Sequence, residues 1–319
     1  MDEIEITSGK LNHLVDPVLH IWGWEIPVYL FLGGLVAGIA AISALMVILG
    51  KTKEMPTIAT KMPILAPIFL SIGMLALLLD LEYKLHVYKM YLTFKPAAPM
   101  SWGAWILIVF YPFNLLFILT QLREGFPQVY QKYLLNRVPK IEDVLKWLSK
   151  FTKPIAWINL FVGMFIGIYT GILLGTFAAR PFWNSAILGP LFLVSGISSA
   201  SALIVLLSRK EVEIKLFQKV DFAFIITEVV FLLLLIIELI TGPNVTKQAA
   251  HLILGGELTA FFWIFVVGIG LMIPAILEIN EIKGRHIPVF LSPIMVLIGG
   301  LLLRFLFVKA GQLSTWIPY

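Results

Sequence analysis

Apolar residues run through this chain in stretches of about twenty, the length a helix needs to cross a bilayer, and charge collects in the breaks between them. Eight such stretches fall near 25–49, 62–84, 101–121, 154–178, 183–207, 221–241, 256–278 and 287–308. The pattern predicts an all-α integral membrane protein, with eight transmembrane helices in one bundle domain covering 1–319. Pro27, Pro63, Pro67, Pro112, Pro190, Pro274 and Pro293 fall inside the runs. Neighbouring helices in a membrane absorb such interruptions. Between the third and fourth runs, Ile141, Val144, Leu145 and Leu148 recur at helical spacing with Lys140, Lys146 and Lys150 around them. That is the pattern of a short helix lying on the membrane surface.

The fourth run carries glycines at 163, 167, 171 and 175. Spaced four apart on a helix, they leave a smooth, slowly winding face along which other helices approach closely. Tyr169 and Thr170 place hydroxyls beside that face. Arg180-Pro181 and then Trp183-Asn184 follow, a cation and an amphipathic aromatic where a bilayer would end.

Composition agrees with lipid as the main solvent. The 319 residues are 59% hydrophobic and 13% charged, with a mean hydropathy of +0.93. A net charge of +5 would point to nucleic acid in a water-soluble chain. Here the basic residues cluster between apolar runs and instead indicate orientation, so no nucleic-acid partner is expected. Sixteen of the 24 lysines and arginines follow the first, third, fifth and seventh runs. The positive-inside rule then puts both termini on the extracytoplasmic side.

The absence of cysteine excludes disulfides, cysteine-ligated iron–sulfur clusters, attached c-type haem and thiol chemistry within the chain. His13, His20, His86, His251 and His286 precede the first run or sit near run ends, so no pair is placed to clamp a mid-membrane haem. No metal site is expected. The acidic start (Asp2, Glu3, Glu5) lacks the pattern of a secretory signal peptide.

Polar side chains inside the runs gather towards the outer side. Glu25 and Tyr29 open the first run behind Trp22 and Trp24. Asp80 and Glu82 close the second, Tyr169 and Arg180 the fourth and Glu238 the sixth. Glu257 opens the seventh, and Arg304 lies near the end of the eighth, where Glu82, Glu257 and Arg304 are placed to reach the interface. A carboxyl in a lipid-embedded helix faces the bundle interior and pairs, or changes its protonation state. The collection points to a polar pocket capped by tryptophans. Glu228 and Asn159 lie deeper, as packing groups or as the start of an inward proton path. Such a pocket suits a quinone, which needs an apolar cleft, a donor at each head-group oxygen and groups that exchange protons. A proton-coupled transporter or channel would use the same carboxyls.

Four ordered stretches carry a family resemblance. They are Trp22 to Gly38; Asp80-Leu81 with Pro99-Met100-Ser101-Trp102-Gly103-Ala104-Trp105; Tyr169-Thr170-Gly171-Ile172-Leu173-Leu174 with Arg180-Pro181-Phe182-Trp183-Asn184; and Gly255-Gly256-Glu257 with Phe262-Trp263. With these stretches the protein resembles the NrfD/PsrC family, the membrane subunits of polysulfide-reductase-type respiratory complexes, in its eight-span branch. The resemblance implies a (mena)quinone- or ubiquinone-reactive anchor with no haem or iron–sulfur cluster of its own, in a bacterial or archaeal cytoplasmic membrane. It implies an extracytoplasmic ferredoxin-like iron–sulfur partner and, through it, a molybdopterin or cytochrome catalytic subunit. Tyr169 matches the head-group tyrosine, Tyr29 a first-helix ligand and Asp80 the second-helix acid, with Glu25 a further proton-exchange candidate. Trp24, Thr170 and Arg180 complete the expected site. One departure is Glu82-Tyr83-Lys84-Leu85-His86 after Asp80-Leu81, where many members carry a Gly-Arg-Pro-like turn. A transporter, a channel or a purely structural anchor are the competing readings.

Overall fold

A computed structural model describes residues 21–127, 130, 141–285 and 288–316. His13, His20, His286, the acidic start, Lys140 and the side chain of Ile141 lie outside the described residues. The described residues are largely helical and contain eight helices long and apolar enough to cross a membrane. These are α1 (Glu25–Ile48), α2 (Thr57–Asp80), α4 (Pro99–Gly125), α6 (Thr152–Gly175), α7 (Leu188–Leu207), α8 (Glu211–Thr241), α10 (Phe261–Ile282) and α11 (Leu291–Leu313). Shorter helices are α3 (Tyr88–Leu92), α5 (Ile141–Ser149) and α9 (Asn244–Leu254). The end of the bundle where α1 begins is the first face, and α2, α6, α8 and α11 finish there. The opposite end is the second face.

Helix α1 is the axis. In its apolar window 78% of residues are buried, against 33% or less in α2, α4 and α8. Gly33, Gly34, Ala37, Gly38, Ala40, Ala41 and Ala44 give it little bulk in any direction, so it packs on all sides. A methyl group at Gly38 would meet the Gly196 carbonyl oxygen at 2.5 Å and Ala200 Cβ at 2.6 Å, so α1 and α7 cross at backbone distance. The four-spaced glycines of α6 follow the same logic. Gly163 faces Ala37 and Ala40 of α1, Gly167 touches both Ala37 and Leu193 of α7, and Gly171 abuts Leu188 and Gly189. The smooth face therefore winds from α1 to α7 as α6 rises.

The outer helices present apolar residues outwards. On α2 these are Ile68, Ile72, Leu75 and Leu79, all about half exposed and on one stripe. In water such a surface would drive association; against lipid it is the natural exterior. Two stretches, Thr57–Lys61 and Phe261–Met272, wind more widely as π-helices. Helices α1 and α10 both stop at a glycine with positive φ, Gly50 at 72° and Gly284 at 81°. The amides of Lys51 and Arg285 then bond back to the carbonyls of Met46 and Asn280, closing a Schellman cap that a side chain would strain.

Three expectations change. The fifth span begins at Leu188, and Trp183 is not an interfacial residue. It is fully buried, its indole N–H donates to the Phe307 carbonyl at 2.7 Å, and its ring packs on Trp22 at 5.1 Å. Arg304 does not reach the interface, because α11 continues to Leu313 and leaves it 1% exposed in the helix interior. The short helix expected between the third and fourth runs forms as α5, with Leu148 buried and Val144 58% exposed.

Gly311 sits against the Trp183 indole, in space a methyl group would have to share with the ring. The ring is enclosed and hydrogen-bonded, so it cannot yield. Gly311→Ala is expected to lower stability by about 1–3 kcal/mol, read as the thermal unfolding midpoint in detergent. Gly175→Ala, whose methyl meets nothing nearer than 3.7 Å, is the neutral comparison.

Candidate functional site

The connection between α2 and α4 folds back over the bundle because its own polar groups tie it down. Ser101 Oγ accepts from the Lys95 amide at 3.0 Å and donates to the Thr93 carbonyl at 3.2 Å. Trp102 Nε1 donates to the Pro96 carbonyl at 2.7 Å. These bonds hold α3 above the start of α4 and close a cavity of about 200 Å³ near the first face. Its wall is apolar (Leu30, Met74, Leu77, Met90, Leu107, Leu173), with four exceptions. They are Tyr29 from α1, Asp80 from α2, Tyr91 from α3 and Tyr169 from α6.

Tyr169 owes its position to Gly103 on α4. A Cβ there would collide with the Tyr169 ring carbon Cζ and its hydroxyl, so the glycine makes the seat for the phenol. Tyr29 and Tyr169 are 8% and 7% exposed and both line the cavity, the Tyr169 hydroxyl lying against Gly103 in the same wall. Asp80 is half-buried at the end of α2, near enough to Glu25 for their charges to interact. Tyr91 lies in the connecting segment, where burial and then the neighbouring Tyr111 raise its phenol above the ordinary value. It stays a neutral donor at physiological pH.

Tyr29, Asp80 and Tyr169 thus come together from three spans. Other candidates do not line this cavity. Trp24 is 54% exposed, and Trp22 takes its place on the wall. Thr170 is buried one layer deeper, its hydroxyl donating to the Gly167 carbonyl at 2.8 Å, beside a small void shared with Tyr29, Gly33 and Tyr169. Arg180 donates to the carbonyls of Gln312 at 3.2 Å and Ser314 at 2.8 Å. Gln312 in turn holds the Trp22 backbone by two bonds of 3.0 Å, so Arg180 braces the segment that supplies the Trp22 wall. Glu238 pairs with Ser185, and Glu82 and Glu257 are exposed. The polar residues of the later spans therefore do not share the pocket; among the described residues its wall comes from the first four spans, α3 and the segments next to them, Trp22 included.

A larger hollow, about 340 Å³, lies between Trp22, Pro27, Phe261 and Phe305, with Lys309 at its rim. It is lined by no tyrosine and no carboxyl, so size alone does not make it the better site for a proton-exchanging head group. Among the described residues, no three His, Asp or Glu side chains gather as a metal site.

Sequence reasoning missed Tyr91, because a short helix inside a polar connection leaves no apolar run. It also missed a polar ladder at the second face. Gln218 and Asp221 on α8 meet Glu281 and Glu278 on α10, and deeper in the bundle Arg304 donates to Ser195 Oγ and the Phe192 carbonyl, each at 3.0 Å. Glu228 faces Arg304 and Ser195 from α8.

Comparison with known proteins places these features in a family context. A family model described as polysulphide reductase, NrfD, matches residues 12–315. The protein is 31% identical over 308 residues to the C component of polysulfide reductase from Wolinella succinogenes, covering 92% of this chain and 94% of that relative. It is 29% identical over 311 residues to protein NrfD of Escherichia coli, covering 92% and 96%. The C component of selenate reductase from Mesobacillus selenatarsenatis is 27% identical over 316 residues, covering 90% and 73%.

Proposed function

The chain belongs to the NrfD polysulphide reductase family, and on that premise we propose that it is the quinone-binding membrane subunit of a respiratory oxidoreductase complex. The observation that carries this reading is the meeting of Tyr29, Asp80 and Tyr169 in one apolar cavity near the first face. A quinone head offers two carbonyl oxygens that accept hydrogen bonds, and its isoprenoid tail needs an apolar channel. Tyr29 and Tyr169 supply hydroxyls, and the wall of Met and Leu side chains suits the tail.

Reduction of a quinone to the quinol takes two electrons and two protons, and oxidation returns them. Tyr169 and Tyr29 hold and orient the head, and a phenol donates or recovers a proton at the oxygen it touches. Asp80, half-buried at the mouth, relays that proton to the first-face water, with Glu25 beside it. The chain has no cysteine to hold an iron–sulfur cluster. Electrons therefore pass to or from a docked iron–sulfur subunit. The bias of lysine and arginine towards the second face makes the first face extracytoplasmic, and that subunit and its catalytic partner dock there. The names of the relatives favour a terminal acceptor of the polysulfide or selenate kind.

Purification in mild detergent tests the reading. The expected result is co-purification with an iron–sulfur protein and electron exchange with an added short-tail quinone or quinol. A chain that purifies alone and moves ions in liposomes without a redox partner would make it a transporter.

A further inference from the structure

Helices α8 and α10 face each other at the second-face end through two matched rungs. Gln218 and Asp221 stand three residues apart on one helix, and Glu281 and Glu278 three apart on the other, so each pair lies on one side of its helix. In the outer rung, Gln218 Nε2 donates to Glu281 Oε2 at 2.5 Å. That contact places Asp221, one turn further along α8, opposite Glu278, one turn back along α10, so in the inner rung two carboxyls face each other. Two buried carboxyls this close repel when both are ionised, so a proton held on one of them relieves the pair.

Their surroundings favour this arrangement over two separate charges. Asp221 is 0% exposed and Glu278 1%. Ser198 donates to Asp221 Oδ1 at 2.6 Å and Ser292 to Glu278 Oε1 at 2.9 Å, while Asp221 Oδ2 and Glu278 Oε2 are buried without a hydrogen-bond partner. Neither carboxyl pairs with a lysine or arginine among the described residues. Of the charged groups on the packed helices, those whose charge acts on the pair are Glu281 on α10 and Glu228 on α8, with Arg304 on α11 beyond Glu228; Lys215 and Lys219 on α8 are exposed. Glu281 is half-buried, and its Oε1 is likewise without a donor, so it sits between the sealed pair and the second-face water.

We propose that Asp221 and Glu278 form a proton-exchange site that holds one proton inside the bundle and trades it with second-face water through Glu281. The exchange conserves charge. A proton arriving on the Glu281 carboxylate is passed to the inner carboxylate, and the reverse transfer returns it. The site is separate from the Tyr29–Tyr169 cavity at the other face. Its naming as cytoplasm-facing rests on the orientation in the proposed function, whereas the proton it holds does not depend on quinone chemistry at all.

Infrared spectroscopy of the intact complex at neutral pH decides the matter without any turnover. The expected spectrum contains the carbonyl stretch of a buried protonated carboxyl, shifted when the buffer is exchanged for deuterium oxide. Asp221→Asn and Glu278→Gln each remove the band, and Glu281→Gln slows its deuterium shift. Should those variants fail to assemble, Ser198→Ala and Ser292→Ala keep both carboxyls and are expected to move the band by removing one hydrogen bond. No protonated-carboxyl band, a band unmoved by every variant, or one that never exchanges would overturn the proposal. So would a band abolished by sodium at constant pH, which would make the pair a metal-cation site. Failure of quinone-linked turnover with the band intact would count against the proposed function alone.

Discussion

Tyr169→Phe is expected to cut quinone-linked turnover of the intact complex by on the order of 10²-fold while leaving the complex assembled. The substitution keeps the ring in the seat made by Gly103 and deletes only the hydroxyl that lies against that glycine in the cavity wall. If that hydroxyl did no more than position the head, its loss would remove one hydrogen bond, about 0.5–1.5 kcal/mol, and turnover would fall by roughly tenfold or less. A fall well beyond tenfold means the phenol also supplies a proton in the reacting step. Gly103→Ala approaches the same point by packing, because its methyl would displace the ring that Phe leaves in place. It should lower turnover and stability together, whereas Tyr169→Phe lowers turnover alone. Unchanged turnover in Tyr169→Phe would remove Tyr169 from the site.

The second large effect concerns Arg304. Its guanidinium is enclosed in α11, donates to Ser195 and Phe192, and lies 4.2 Å over the Phe192 ring. Glu228 faces it across Ser195. Arg304→Met strips the cation from an arrangement that cannot reach water, leaving the Ser195 hydroxyl and the Phe192 carbonyl without their donor and the buried Glu228 carboxyl without its neighbouring cation. The expected cost is about 3–5 kcal/mol, the range for breaking a buried charge pair from one side, and it appears as a lower thermal unfolding midpoint of the complex. Adding Glu228→Gln should recover most of the loss, since the double variant no longer buries a lone charge. Equal midpoints for the single variant and the parent would show that Arg304 and Glu228 do not stabilise one another.

How much of this was legible beforehand depends on what each signal measures. Hydropathy marks where a run is apolar, so all eight spans could be placed from it, but it does not mark where the backbone stops being helical. Helix α8 starts at Glu211, well before its apolar run. Asp221 and Glu278 are the end residues of their apolar runs, so hydropathy gives no sign that the helices carry both into the bundle. The same limit made Arg304 look peripheral, because α11 outlasts its apolar run through Lys309 and Gln312. Trp183 fits the interfacial pattern of Trp near a charge, yet its indole N–H found a carbonyl on a distant helix, a contact no local window contains. Tyr29, Asp80 and Tyr169 were visible as polar residues at a common depth. Their meeting depends on which helices α1 touches, and its small residues set that.

The most direct test of the central claim is a density map of the complex with a quinone bound. The account predicts the ring between Tyr29 and Tyr169, with Asp80 at the mouth and the tail leaving between Met and Leu side chains. A ring seated instead in the hollow beside Lys309, with the Tyr169 hydroxyl untouched, would contradict it.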